Sequence, residues 1–301
     1  MKLVRDSYQD AGTGRLCKLL GKTRHAYYDA TWRDEQQAIE HAIILELVEE
    51  IREKLPRLGT EKLHFMLQEK LIKHDIKIGR DGLHSLLIDH GLIIRRRKKR
   101  PKTTNSKHWM KKYPDLIKDM EILAPDMLWV SDITYISHIN GFGYLSLITD
   151  AYSRKIMGYC LHPNLSNEGC IKALEMALKN RRYNHQLIHH SDRGSQYCSK
   201  QYVHVLSSNN VFISMTQSGS PYENAKAERV NGILKMEHGL EELFKSFDLA
   251  YKSVDNAVLH YNEYRPHASI DFLTPNQAHQ RKGSIKKRWK KRIYNTKTEA
   301  E

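Results

Sequence analysis

The chain has 301 residues and a formal charge of +14, from 49 Lys and Arg against 35 Asp and Glu, and this length excludes a small module held together by disulfides or metal. The four cysteines form no C-x-x-C pair and no zinc-ligand spacing, which favours reduced thiols. Because the chain starts without an apolar signal segment and has no run of about eighteen apolar residues, we expect a cytoplasmic protein that does not enter a membrane.

The first ninety-odd residues predict helices. Residues 16–28 resemble two short helices around a glycine-centred turn, which is typical of a helix-turn-helix. The same turn is not a P-loop, because Leu16 stands where that motif needs a glycine. Two further helices, predicted around 62–71 and 81–90, form a second candidate helix-turn-helix.

An apolar residue recurs every fourth position between these two candidates, which predicts a helix over residues 36–55. Its stripe is expected either to face the core or to form a dimerising seam. The residues of the stripe are Ile39, Ile43, Leu47, Ile51 and Leu55.

Basic residues are concentrated in two segments. Ten Lys or Arg lie between Arg95 and Lys112 and eight between Arg281 and Arg292, with no acidic residue in either segment. Such segments bind polyanions because each phosphate contact releases counterions, although a solvated tail or a targeting signal is the alternative. The residues predicted to contact DNA are Arg95, Arg96, Arg97, Lys98, Lys99, Arg100, Lys286, Lys287 and Arg288.

After Pro125 the pattern changes to β-strands. Three alternating runs predict a three-strand meander, after which helices and strands alternate. This order predicts an α/β fold with a mixed five-stranded sheet and flanking helices, preceded by an all-α region. The predicted strands are 128–136, 144–150, 155–161, 187–190 and 211–215, and the predicted helices are 167–180, 200–208 and 224–239.

Three acidic residues occupy different positions in this order. Asp132 lies in the middle of the first strand, Asp192 directly follows the fourth strand, and Glu228 lies on the last helix. The thirty-five residues between Asp192 and Glu228 are weak evidence alone, because this composition gives a chosen Asp-to-Glu offset by chance about once. Lys235 follows Glu228 by nearly two helical turns, which places both on the same face of the helix.

Four stretches resemble the catalytic core of bacterial insertion-sequence transposases, insertion-sequence family three above all. They are LWVSDITYI, HSDRGSQY, SGSPYENAKAERVNGILKMEH and YNEYRPHASIDFLTP. This superfamily shares a ribonuclease-H-like fold with retroviral integrases. The resemblance implies that the family's three catalytic acids are Asp132, Asp192 and Glu228, and that its basic residue on the helix is Lys235.

Hard oxygen ligands suit Mg²⁺ or Mn²⁺, and two such ions about 4 Å apart can promote in-line phosphoryl displacement. The resemblance therefore implies two-metal-ion DNA cleavage and strand transfer. Of the neighbouring residues, Arg193 is a predicted DNA contact, while His190 and Ser195 could orient the substrate or a metal-bound water. Arg265 and His267 belong to the family's motif after the core and are either structural or DNA-contacting.

The resemblance also implies partners: the terminal inverted repeats of the element, target DNA and further copies of the chain, in the bacterial nucleoid. The chain resembles a downstream reading-frame product, which implies a partner or fusion from an upstream frame. The alternatives are a nuclease on the same fold and a DNA-binding regulator with an inactive core. The predicted domains are a helix-turn-helix candidate at 1–33, a helical region with a second one at 34–97, a basic linker at 98–119, the catalytic core at 120–245, and a helical extension with a basic tail at 246–301.

Overall fold

A computed structural model describes residues 12–94, 109–118, 120–217 and 225–288. The chain divides into two compact units. The helical unit contains residues up to 53 and residues 63–93, and the sheet unit contains residues 54–62 and the chain from 94 onwards. No helix within the described ranges has the length and apolar character needed to span a membrane.

Within residues 12–94 the helical unit contains four helices, with the N-terminal turn of the third belonging to the sheet unit. The predicted separation between a second short helix and the helix at 36–55 is wrong, because one helix runs through both. No glycine or proline interrupts the chain between Thr23 and Lys54, so nothing ends that helix. The helices are α1 (Thr13–Leu19), α2 (Arg24–Lys54), α3 (Thr60–Lys73) and α4 (Arg80–Asp89).

The buried face of α2 differs from the predicted stripe. Of the predicted stripe, Ile51 and Leu55 are buried and Ile39 is exposed, whereas Ile44 and Val48 are buried outside it. A strict step of four drifts around a helix of 3.6 residues per turn, so a stripe that starts at the exposed Ile39 reaches the core-facing side only near Ile51.

The predicted mixed five-stranded sheet is confirmed, with the order β3-β2-β1-β4-β5. The first three strands pair antiparallel, and β4 is parallel to both β1 and β5. The strands are β1 (Leu128–His138), β2 (Gly141–Asp150), β3 (Ile156–His162), β4 (Ile188–Ser191) and β5 (Phe212–Met215).

Helices cover both faces of the sheet. On one face α5 and α7 pack in a core that includes Trp129 and Tyr202. On the other face α8 and α9 pack in a core that includes Ile136, Val230 and Tyr261. The remaining helices are α5 (Asn167–Asn180), α6 (Ser195–Cys198), α7 (Lys200–Ser208), α8 (Ala225–Glu237), α9 (Phe247–Glu263) and α10 (Pro275–Ala278).

Alternation along β1 decides which side chains face α8. Trp129 is fully buried in the α5 and α7 core, while Val130 packs with Ala227 of α8 on the other face. Asp132 follows Val130 by two residues and therefore points to the α8 side of the sheet.

Candidate active site

Asp132 and Asp192 lie side by side on neighbouring strands. The parallel pairing of β1 with β4 matches Leu128 with Ile188 and Val130 with His190. Continued by two residues, this register sets Asp132 opposite Asp192, which directly follows the end of β4. Adjacent strands lie about 4.8 Å apart, so the two carboxylates emerge from the same face as neighbours.

Local turns fix the direction of each of these carboxylates. The Oδ1 atom of Asp192 accepts a hydrogen bond from the amide of Gly194 at 3.0 Å, and that of Asp132 accepts one from the amide of Ile133 at 3.0 Å. A side chain at position 194 would meet Asp192 Oδ1 at 3.0 Å. Glycine at this position therefore lets the chain turn close against the acid.

Helix α8 brings the third acid and a residue that the sequence analysis did not single out. Glu228 lies exposed in the first turn of α8, where the helix dipole favours a negative charge. Asn231 lies one turn further along, buried, and its Nδ2 donates to Asp132 Oδ2 at 2.8 Å. This hydrogen bond joins α8 to Asp132. Asn231 follows Glu228 by three residues and so lies on the same side of the helix, and this spacing is the signal in the sequence that could have identified it.

Burial and neighbouring charge raise the pKa of Asp132 to about 7. The largest cause is desolvation, followed by the charge of Asp192, and the charge of Glu228 adds a smaller effect in the same direction. The hydrogen bonds from Asn231 and Ile133 oppose this shift of the pKa. Three negative groups thus face one another closely enough to disfavour the charged form of one, which is the electrostatic situation that a cation relieves.

Replacing Asn231 by leucine should weaken the binding of divalent metal by about ten- to a hundred-fold, since it removes a hydrogen bond that orients Asp132. The Oδ1 atom of Asn231 is buried and has no hydrogen-bond partner among the described residues. Calorimetric titration with Mn²⁺ would measure the loss. Asn209→Leu is the matched control because its amide contacts only a helix carbonyl; equal affinities in both variants would contradict the assigned role.

The other residues predicted near the acids differ in their burial and in their contacts. Arg193 donates from Nε to the carbonyl oxygen of Thr216, which ties the end of β4 to the end of β5. His190 is buried, with its Nδ1 at 2.9 Å from Ser214 Oγ, and Ser195 begins α6. Lys235 lies half-buried in the last turn of α8.

The structure describes only part of each of the two basic segments. Residues 95–100 lie outside the described residues, as does the loop 218–224 that leads into α8. Lys286, Lys287 and Arg288 are exposed. The backbone amide of Arg288 donates to Ala268 at 2.8 Å and its guanidinium pairs with Asp271, so the start of this segment is attached to the sheet unit.

A second cluster of possible metal-ligand residues brings its ligand atoms close together. Among the described residues, Asp126, Asp150 and His279 place such atoms within 4.8 Å of one another, and all three residues are buried. Asp126 already accepts hydrogen bonds from the indole of Trp129 and from two backbone amides, and Asp150 accepts from Ser153 and from the amide of Asp126. Because these carboxylate oxygens are committed to N–H and O–H donors, we assign the cluster a structural role.

The chain matches known families over its sheet unit. Residues 123–221 match a family model described as "Integrase core domain", and residues 209–275 match a second model with the same description. The chain is 32% identical over 265 residues to the IS600 uncharacterized 31 kDa protein of Shigella sonnei, which covers 86% of this chain and 96% of that protein. It is 29% identical over 273 residues to transposase InsF for insertion sequence IS3A of Escherichia coli K12, covering 87% and 92% respectively. Among solved structures, the HTLV-2 integrase catalytic core domain in complex with magnesium is 18% identical and covers 52% of this chain and 99% of that chain, with a TM-score of 0.43.

Proposed function

The chain belongs to the insertion-sequence transposases that carry an integrase core domain, and we propose that it cuts and joins DNA at a site formed by Asp132, Asp192 and Glu228. The observation that carries this assignment is the approach of the three acids from β1, from the end of β4 and from α8. The charges of Asp192 and Glu228 both act on Asp132. As a transposase of this class the protein is an enzyme that acts on DNA.

Divalent metal use is typical of this family, and the donor set fits Mg²⁺ or Mn²⁺. The three carboxylates of Asp132, Asp192 and Glu228 supply hard oxygen ligands. A carboxyl with a pKa of about 7 and two acidic neighbours is stabilised in its charged form by a bound cation. We propose two ions per site, held by Asp132, Asp192 and Glu228.

Bound there, the metal would supply Lewis-acid stabilisation of the charge on the attacking and leaving oxygens of a DNA phosphodiester. The protein's own contribution is positional. Asn231 and the amide of Ile133 hold Asp132, and the turn at Gly194 holds Asp192. We propose that Lys235 and Arg193 contact DNA phosphates beside the acids.

The proposed substrates are double-stranded DNA at the two ends of an insertion sequence, with their terminal inverted repeats, and a target DNA in the bacterial nucleoid. The first step frees a 3′-hydroxyl at an element end, and the second transfers it to another phosphodiester. The second step needs two DNA segments at once, which favours a homo-oligomer on DNA. A partner or fusion from an upstream reading frame would add further end recognition.

The test is to incubate the purified chain with labelled linear DNA that carries the element's own ends, in Mg²⁺ and in EDTA. We expect joined products with Mg²⁺ and none after chelation. Nicked strands without joined ones would instead indicate the nuclease alternative, and DNA binding without any metal-dependent change would indicate the regulator. Adding the upstream-frame protein to the assay distinguishes a chain that lacks its partner from a chain with an inactive core.

Replacing Lys286 and Lys287 together by glutamine should weaken DNA binding at all sequences alike and reduce the steepness of its salt dependence. Each lost phosphate contact lowers the slope of log K against log salt by about 0.9. Fluorescence anisotropy at several salt concentrations measures both slopes. Lys172 and Lys179 on α5 provide a control double variant with the same change of charge, and an equal loss in the control would show a general charge effect in place of a contact.

A further inference from the structure

The C-terminal end of helix α8 is held by a buried ion pair. Glu237 is the last residue of α8, and its two carboxylate oxygens accept hydrogen bonds from Nε and Nη2 of Arg265, both at 2.7 Å. Arg265 is only 1% exposed. Two parallel hydrogen bonds between a guanidinium and a carboxylate fix direction as well as distance, so this pair sets where the helix ends. The burial of Arg265 and His267 favours their structural interpretation over direct contact with DNA.

Lys62, in the first turn of α3 and part of the sheet unit, joins the same carboxylate. Its Nζ lies 3.3 Å from Glu237 Oε1. Burial lowers the pKa of Lys62, and the charge of Arg265 lowers it further. Although burial opposes it, the pKa of Glu237 stays below its ordinary value because Arg265 and Lys62 stabilise the carboxylate. The carboxylate of Glu237 therefore compensates the positive charges of Arg265 and Lys62, which would otherwise repel each other.

Two other residues of the segment 54–62, Arg57 and Lys54, make contacts near the Glu237–Arg265 pair. The backbone amide of Arg57 donates to the carbonyl oxygen of Glu237 at 3.1 Å, and its guanidinium pairs with Glu241 and Glu242. The Lys54 ammonium lies 4.3 Å from the centre of the Tyr264 ring. Cations of this segment therefore lie around the C-terminal end of helix α8.

We propose that Arg265 and Lys62 are positioning residues for Glu228, a role that rests on the proposed function of the three acids. A helix of 13 residues is stiff, so two attachments determine its placement. Asn231 attaches the middle of α8 to Asp132, and Glu237 attaches its end to Arg265 and Lys62. Within the described part of the chain, no hydrogen bond or ion pair fixes the distance of Glu228 from the other acids. The ion pair at Glu237 therefore sets this distance through the helix.

The variants Arg265→Lys and Lys62→Met test this role. Arg265→Lys keeps the positive charge and loses the bidentate hydrogen bond to Glu237. Lys62→Met keeps the size of the side chain and loses its charge. We expect the Mg²⁺ concentration for half-maximal joining to rise about tenfold or more for Arg265→Lys and about threefold for Lys62→Met, because displaced supporting groups weaken metal binding to that extent. DNA affinity should change by less than about twofold in both.

Arg181→Lys is the matched control. Arg181 donates to the carbonyl oxygens of Tyr183 and His185, away from α8, so its replacement perturbs a structural arginine without touching the helix. The shift in melting temperature on adding Ca²⁺ provides a readout of metal binding that does not depend on catalysis. It should shrink in Arg265→Lys and Lys62→Met and stay at the wild-type size in Arg181→Lys.

The outcomes separate the two proposals. Joining at the wild-type Mg²⁺ requirement in both variants, or an equal change in Arg181→Lys, would overturn the positioning role while leaving the transposase assignment intact. A wild-type protein that binds the metal and fails to join DNA in the presence of its partner would count against the proposed function, and the melting-temperature shifts would still decide the positioning role. A wild-type protein without a metal-dependent shift would overturn both.

Discussion

Replacing Asp192 by asparagine is expected to lower the rate of strand cleavage and joining at least about a thousand-fold, which corresponds to about 4 kcal/mol of transition-state stabilisation. The amide keeps an oxygen that can accept the hydrogen bond from Gly194, so the turn after β4 should survive. What is lost is one negative charge and one hard ligand beside Asp132. DNA affinity should stay within about twofold, because the proposed phosphate contacts are made by basic side chains and not by this carboxylate.

Asp115→Asn is the matched control for this variant. The Oδ1 atom of Asp115 accepts a hydrogen bond from the amide of Ile117 at 2.9 Å, the same two-residue turn that Asp192 makes with Gly194. Gel assays of joined product and anisotropy measurements of DNA binding, done side by side, distinguish the two functions. Full activity in Asp192→Asn, or a parallel loss of DNA binding, would remove Asp192 from the proposed active site.

The fold was largely predictable because its signals are local. Alternation in residues 128–136 and the loops that bound each strand depend on neighbouring residues, so the predicted strands lie within a few residues of the observed ones. The mixed five-stranded sheet also followed from the order of strands and helices. One error, at α2, arose where two patterns met without a residue that ends a helix, and the four-residue helices α6 and α10 were not predicted because so short a run has no periodicity.

The candidate site was predictable only in part. Spacing among the acids had little weight, and the resemblance to a known family, not the pattern, pointed to Asp132, Asp192 and Glu228. The hydrogen bond between Asn231 and Asp132 joins residues 99 positions apart, and the pair formed by Glu237 and Arg265 joins residues 28 positions apart. Contacts of this kind depend on how α8 packs on the sheet, which no local pattern records.

Replacing Asp132 by asparagine should stabilise the metal-free protein above pH 7. The pKa of Asp132 is raised to about 7 in the folded state, mainly by burial, from an ordinary value of 3.8. Between about pH 4 and pH 7 the folded state therefore binds more protons than the unfolded state, and stability falls as the pH rises through that window. Above pH 7 the whole cost is present, at most about 4 kcal/mol for a shift of about three units.

The asparagine variant avoids that cost and can keep its contact with α8. If the amide of Asn231 turns over, its Oδ1 atom, which is buried without a partner, can accept from the new side-chain amide. We expect the free energy of unfolding of the variant to exceed that of the wild type by about 1 to 3 kcal/mol at pH 8 and to equal it near pH 4. Urea unfolding at both pH values measures the difference, with Asp115→Asn measured alongside as the matched substitution in another two-residue turn.

Adding Ca²⁺ or Mg²⁺ at pH 8 should reverse the order of stability. A cation that binds only the folded wild type stabilises it by about 2.7 kcal/mol at a hundred times its dissociation constant, and Asp132→Asn should gain little. The acid that weakens the metal-free fold is thus the acid that makes the fold respond to metal. Equal stabilisation of both proteins by metal would show that Asp132 is not a ligand, and stabilities that run parallel from pH 4 to pH 8 would show that its charge carries no cost in the folded state.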